Sequence, residues 1–199
     1  MDDRLAQLVR SNGRLRYKGL VSLIHRVAQL TFVSFCDRPF LVGKELIQGN
    51  LSQGTSDASQ TMSFRPNYVL QEDKNSEKEG QKEAGSGPDS SIGRAIFAFR
   101  KAPYSETPRG VFSVGREEGN DLVIADYSVS KKHAEIREKA RADYFIKDVN
   151  STNGTFLDGE RLTPHTEMQI QRNSEIVFGR LEFVFTLPGD LYQMIQSGG

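Results

Sequence analysis

The chain has 199 residues, with 26 Lys+Arg balanced by 26 Asp+Glu and a formal net charge of zero. That length allows one domain with extra segments or two small domains. The charge balance argues against nucleic acid and anionic membrane as partners, since broad electrostatic attraction to them needs a basic excess. One cysteine, Cys36, leaves no internal disulfide and suits a reducing, cytoplasmic setting.

In chain order, residues 1–50 read as a small helical region. Leu5, Leu8 and Val9 have helical spacing and Asn12-Gly13 is a stop signal. Leu20, Leu23, Ile24, Val27, Ala28 and Leu30 mark one face of a second helix, which Thr31–Phe35 either extends or leaves as strand. Phe40 to Ile47 is short helix or strand after the Arg38-Pro39 break. About 50 residues is near the lower limit for an independent core, so this region is expected to pack on something or self-associate. The apolar stretch Leu20–Phe35 is interrupted by His25, Arg26 and Gln29 and is too short for the ~20 residues of a membrane helix. Asp2, Asp3 and Arg4 open the chain with no apolar run behind them, unlike a signal peptide.

Residues 51–91 are rich in Gln, Ser, Gly, Glu, Lys and Asp, and are expected to be a mostly disordered linker. One island, Thr61-Met62-Ser63-Phe64 through Leu70, interrupts it. From Ile92 the texture becomes β. Ile96–Phe99 and Val111–Val114 are apolar runs, Ala134–Arg137 and Tyr144–Val149 alternate, and Ile176–Phe178 with Leu181–Phe185 form a hairpin about Gly179-Arg180. Many short strands separated by turn signals predict a β-sandwich over 92–187. Residues 188–199 are a short tail or helix, with Leu191, Met194 and Ile195 on one side.

Three turn-rich segments carry candidate chemistry. Gly115-Arg116 ends a strand with a guanidinium, whose donor fork matches phosphate oxygens. Ser130-Lys131-Lys132-His133 offers a hydroxyl and local positive charge, and Thr152-Asn153-Gly154 offers a hydroxyl and an amide on a strong turn former. Two further readings of these residues stand beside phosphate recognition. Ser130 and His133 could serve as a nucleophile pair in a hydrolase, although no Gly-x-Ser-x-Gly elbow surrounds them. A structural assembly protein with a vestigial pocket is the other. The histidines His25, His133 and His165 lie in separate segments with no zinc-site spacing, and no nucleotide-binding glycine loop is present, so neither metal nor cofactor is expected.

The order and spacing of these three segments, with Asp148 and Thr155-Phe156 flanking the last, resemble the forkhead-associated (FHA) domain and, with the segment before it, small bacterial FHA signalling proteins. The resemblance implies a mainly β fold: an FHA-type sandwich in the C-terminal half, beside a small α-helical N-terminal region and a disordered linker. It implies a phosphothreonine-dependent protein-binding module in Ser/Thr kinase signalling rather than an enzyme. Arg116, Ser130, Lys131, Thr152 and Asn153 would bind the phosphopeptide, with Gly115, His133 and Gly154 supporting the pocket. Ser128 falls where some members select the residue three after the phosphothreonine. The implied partners are a phosphothreonine protein or peptide, a Ser/Thr protein kinase, and the chain's own segment phosphorylated at Thr61, which would inhibit the pocket from within.

Overall fold

β-branched and aromatic residues dominate the short runs of this chain, and in the computed structural model they form strands. The structure describes residues 3–47, 92–140 and 143–197. Eleven strands are defined among them: β1 Phe40–Gly43, β2 Ile96–Ala98, β3 Val111–Gly115, β4 Leu122–Val123, β5 Ala134–Ala140, β6 Asp143–Asp148, β7 Thr155–Leu157, β8 Glu160–Arg161, β9 Glu167–Ile170, β10 Glu175–Phe178 and β11 Leu181–Thr186. One sheet has the order β2-β1-β11-β10-β7-β8 and the other β4-β3-β5-β6-β9. All pairs are antiparallel except β3 with β4. The sheets face each other across a core that includes Leu41, Phe97, Phe112, Ile136, Ile146, Phe178, Phe183 and Phe185. Phe99 contributes edge contacts to Phe112, Tyr144 and Phe185, the offset geometry that aromatic quadrupoles favour. The fold is the mainly β sandwich that the sequence predicts.

The N-terminal region is not purely helical. Its helices α1 Asp3–Ala6, α2 Tyr17–Ile24 and α3 Gln29–Phe35 lead into β1, which inserts between β2 and β11. Side chains on a strand alternate between faces. Leu41 and Phe97 therefore join the sandwich core, while Phe40, Val42, Ile96 and Ala98 face the other way into a second cluster with Leu5, Leu20, Ile24 and Phe32. Leu191 and Ile195 of the C-terminal helix α4, Pro188–Ser197, complete it. A strand covered on both faces is buried throughout, as β1 is.

The second helix also ends earlier than its apolar spacing suggests. α2 stops at Ile24, Ala28 is extended, and α3 starts at Gln29. The break is held by α4. Tyr192 Oη donates to the Val27 carbonyl (2.9 Å) and Gln196 Nε2 to that of Ile24 (3.2 Å), satisfying acceptors that a continuous helix would have used. Leu30, assigned by spacing to the buried face, is instead 85% exposed. Residues 48–91 connect β1 to β2, adjacent strands of one sheet. Thr61 and its island lie outside the described residues.

Candidate functional site

At one end of the sandwich the β3–β4, β4–β5 and β6–β7 loops meet. β3 ends at Gly115, where the backbone passes close to the next loop: a Cβ there would stand 2.2 Å from the Lys131 carbonyl oxygen. Arg116 follows, its backbone N–H donating to the Ser130 carbonyl (3.0 Å). Its side chain is exposed, and among the described residues nothing pairs with its guanidinium.

Ser130 links this loop to the β6–β7 loop. Its Oγ accepts from the Thr152 backbone N–H (3.0 Å) and lies 3.3 Å from Thr152 Oγ1. Asn153 Nδ2 donates to the Ser128 carbonyl (2.8 Å), which leaves its Oδ1 without a partner among the described residues. Lys131 pairs with Glu117 and Lys132 with Glu106. The structure thus brings Arg116, Ser130, Lys131, Thr152 and Asn153 to one end of the molecule, on three loops. Ser128 does not present its hydroxyl there. It is buried, donates to Asp126 (2.7 Å) and accepts from the Arg180 N–H (3.2 Å).

Beneath these groups, His133 is fully buried. Its Nδ1 accepts the Ser130 backbone N–H (3.0 Å), so that nitrogen carries no proton. Nε2 then donates to the Gly154 carbonyl (3.1 Å). Burial holds the imidazole below its usual range, opposed by the Gly154 hydrogen bond and the Asp148 charge. The Ser130 hydroxyl makes no bond to His133, so the nucleophile pair of a hydrolase is not assembled.

Gly154 has φ +86°, a left-handed value that glycine adopts without strain, and a Cβ there would stand 2.7 Å from Arg161 Nε.

Two buried aspartates organise the loops: Asp148, which flanks the third sequence segment, and Asp121. Asp148 accepts from the backbone N–H groups of Asn150 and Ser151 and from the hydroxyls of Ser151 and Thr155, at 2.6–2.8 Å. Burial pushes its carboxyl up, but these donors outweigh it and hold the group below its usual range. Asp121 is likewise driven up by burial and pulled down further by Lys101, the Ser113 and Ala102 N–H groups and Ser105. Asp148 had a local signal: an aspartate two and three residues before its amide partners forms an Asx turn. The partners of Asp121 lie 8 to 20 residues away, which no local pattern announces. Among the described residues no group of acidic, histidine or cysteine side chains is arranged to hold a metal. None of their helices is long and apolar enough to cross a membrane.

A two-sheet sandwich with Arg, Ser, Thr and Asn converging from three loops at one end defines a class, and comparison with known proteins names it. Residues 112–179 match the family model of the FHA domain. The chain is 27% identical over 118 residues to the oxoglutarate dehydrogenase inhibitor of Corynebacterium glutamicum, spanning 54% of this chain and 80% of that protein. It is 27% identical over 97 residues to the glycogen accumulation regulator GarA of Mycobacterium tuberculosis, spanning 47% and 57%. Among solved structures it is similar to the N-terminal FHA domain of Saccharomyces cerevisiae Rad53p in complex with a phosphothreonine peptide: 23% identity, TM-score 0.37, 44% of this chain and 78% of that one. The strands β1, β2 and β11 lie outside the matched residues yet belong to the sandwich.

Proposed function

We propose that the chain is a phosphothreonine-dependent protein-binding module that acts as an adaptor or regulator in Ser/Thr kinase signalling, in the cytoplasm. The observation that carries this reading is Arg116: an exposed side chain, unpaired among the described residues, whose backbone N–H is bonded to the Ser130 carbonyl (3.0 Å), the hydroxyl of Ser130 in turn meeting Thr152. Arg116 takes two phosphate oxygens with parallel charge-assisted bonds. Thr152 Oγ1, facing the Ser130 hydroxyl, keeps its own proton for a third bond. Lys131 adds charge, and the unpartnered Asn153 Oδ1 accepts a backbone N–H of the peptide. Gly115, His133 and Gly154 hold the loops that carry these groups. The FHA resemblance adds a preference for threonine, through a recess for its methyl group.

A binding role is favoured over a hydrolytic one because His133 spends both nitrogens on backbone groups and none on the Ser130 hydroxyl. A vestigial pocket is disfavoured by the retained Arg116, Ser130 and Asn153. The names of the relatives, an inhibitor and a regulator, support a regulatory role.

Binding of a phosphothreonine peptide, with the unphosphorylated peptide as control, tests the reading. Arg116→Ala removes one partner of a charge pair, which costs ~2–5 kcal/mol, so affinity falls at least about thirtyfold while the melting temperature holds. Ser130→Ala and Asn153→Ala weaken binding too. Retention of wild-type affinity by Arg116→Ala within about threefold overturns the assigned pocket. The proposed partners are phosphothreonine proteins, a Ser/Thr kinase among them, and the chain's own Thr61 segment.

A further inference from the structure

Both lysines of the Ser-Lys-Lys-His loop already have anionic partners from neighbouring loops. Lys131 Nζ lies 2.9 Å from Glu117 Oε1, and Lys132 Nζ lies 3.2 Å from Glu106 Oε2. Isolated surface pairs of this kind contribute little. The Lys131–Glu117 pair differs because its backbone is built. Asn120 is buried, and its Nδ2 donates both to the Glu117 carbonyl (2.9 Å) and to the Lys131 carbonyl (2.8 Å). One amide therefore clamps together the two residues whose side chains form the ion pair. Much of the entropy of bringing them together is already spent in folding the loop. Glu117 is also the immediate chain neighbour of Arg116.

We propose that Glu117 is a specificity-determining residue that competes with the phosphate for Lys131 and selects ligands carrying a basic side chain close to the phosphothreonine. The inference rests on the phosphothreonine reading above. A phosphate group brings a charge of about −1.5 to −2 at neutral pH. Reaching Lys131, it meets the Glu117 carboxylate on the same ammonium group. An uncharged flank leaves that repulsion in place, and an acidic flank adds to it. A lysine or arginine in the ligand relieves it by exchange: the phosphate takes Lys131 and the ligand's cation takes Glu117. Four charges end as two pairs, and none is stranded.

The test is an oriented phosphothreonine peptide library, with lysine, alanine or glutamate placed in turn at each position flanking the phosphothreonine, titrated against the full chain and its Glu117→Gln variant. Glu117 is exposed and carries its neighbours through its backbone, so the variant keeps the wild-type melting temperature. For the wild type, lysine beats glutamate by about tenfold or more at one or more flanking positions. Glu117→Gln binds the alanine-flanked peptide about two- to fivefold more tightly, the scale of one exposed ion pair, and loses most of the lysine preference. Phosphopeptide binding with no charge preference beyond about twofold at any flank overturns the role of Glu117 and leaves the pocket standing. So does weaker binding by Glu117→Gln. If no phosphopeptide binds either protein, the phosphothreonine reading falls and this inference with it.

Discussion

One neutral ring, that of His133, braces the β4–β5 loop through the Ser130 N–H and ties it to the β6–β7 loop through the Gly154 carbonyl. Protonation puts a hydrogen on Nδ1, where the Ser130 N–H already points, and charges a buried ring. The folded-state value is lowered from the ordinary 6.5, so the unfolded chain takes up the proton first. This contribution to stability is complete above about pH 6.5 and is lost as pH falls below it. The melting temperature should therefore drop between about pH 7 and 5, before the buried aspartates with lowered values begin to titrate. His133→Ala leaves the Ser130 N–H and Gly154 carbonyl without partners, at ~1–3 kcal/mol each. It should lower the melting temperature at pH 7 and flatten its dependence on pH, both readable by circular dichroism. A variant as steep with pH as the wild type would assign that slope elsewhere. Order and spacing of three segments, rather than any one residue, singled out Arg116, Ser130 and Asn153 in the sequence, and the fold brings those segments to one end of the sandwich. Asn120, Asp121 and Glu117 were not legible there, because they matter through partners that tertiary structure supplies. Ser128 falls where some FHA members select a ligand residue, and Asp126 and Arg180 draw its hydroxyl inward.

Elements show a parallel division. The strands of the C-terminal half and the β10–β11 hairpin followed from alternation and turn signals. β1 did not, because Phe40-Leu41-Val42-Gly43 is buried on both faces and so shows no alternation. Its identity as a strand comes from β2 and β11 on either side. Likewise the break between α2 and α3 depends on α4, which is remote in sequence. The expectation that the first 50 residues need something to pack on is met within the chain by the outer face of the β1–β2 edge. Stability of the helices and of the sandwich should consequently be coupled. Phe32 is fully buried in the helical cluster, 5.7 Å from Tyr192 between ring centroids. Phe32→Ala should cost ~3–5 kcal/mol through lost burial and the cavity left behind. For a chain of this size that lowers the melting temperature by roughly 6–20 °C. The loss should appear in one cooperative transition seen by both helical and strand signals. Two separate transitions, with the strand signal unmoved, would show that the helices do not share the stability of the sandwich.

At the scale of the molecule, the path of the chain bears on the proposed role of Thr61. β1 runs towards the loop end of the sandwich, since Gly43 pairs with Phe183, near the start of β11. Lys44 pairs with Glu175 (2.7 Å) and Glu182 (2.8 Å), and the negative field of Glu45 reaches Arg180. Arg180 is in turn bound to Asp126 in the loop that leads to Ser130. The return is at the same end, where Gly43 N–H donates to the Ala95 carbonyl (2.8 Å). The described residues that flank 48–91 thus lie on the side of the molecule that carries Arg116. Thr61 follows Ile47 by about 14 residues, for which a flexible chain has an r.m.s. span of ~20 Å. A tether of that length gives an effective concentration in the ~mM range. If the phosphorylated Thr61 segment has a Kd of ~1 μM, the occupied pocket outweighs the open one by about a thousand to one. Phosphorylation of Thr61 should therefore suppress binding of an added phosphothreonine peptide by about that factor, at any protein concentration. Arg116→Ala should abolish the internal closure, read as loss of protection of the β3–β4 loop in hydrogen exchange. Phe64 stands three residues after Thr61, where the FHA resemblance implies selection of an apolar residue, so Phe64→Ala should partly restore external binding. Stoichiometric phosphorylation of Thr61 with no loss of external peptide affinity would sink the intramolecular switch. Inhibition that grows with protein concentration would instead mean that Thr61 of one molecule reaches the pocket of another.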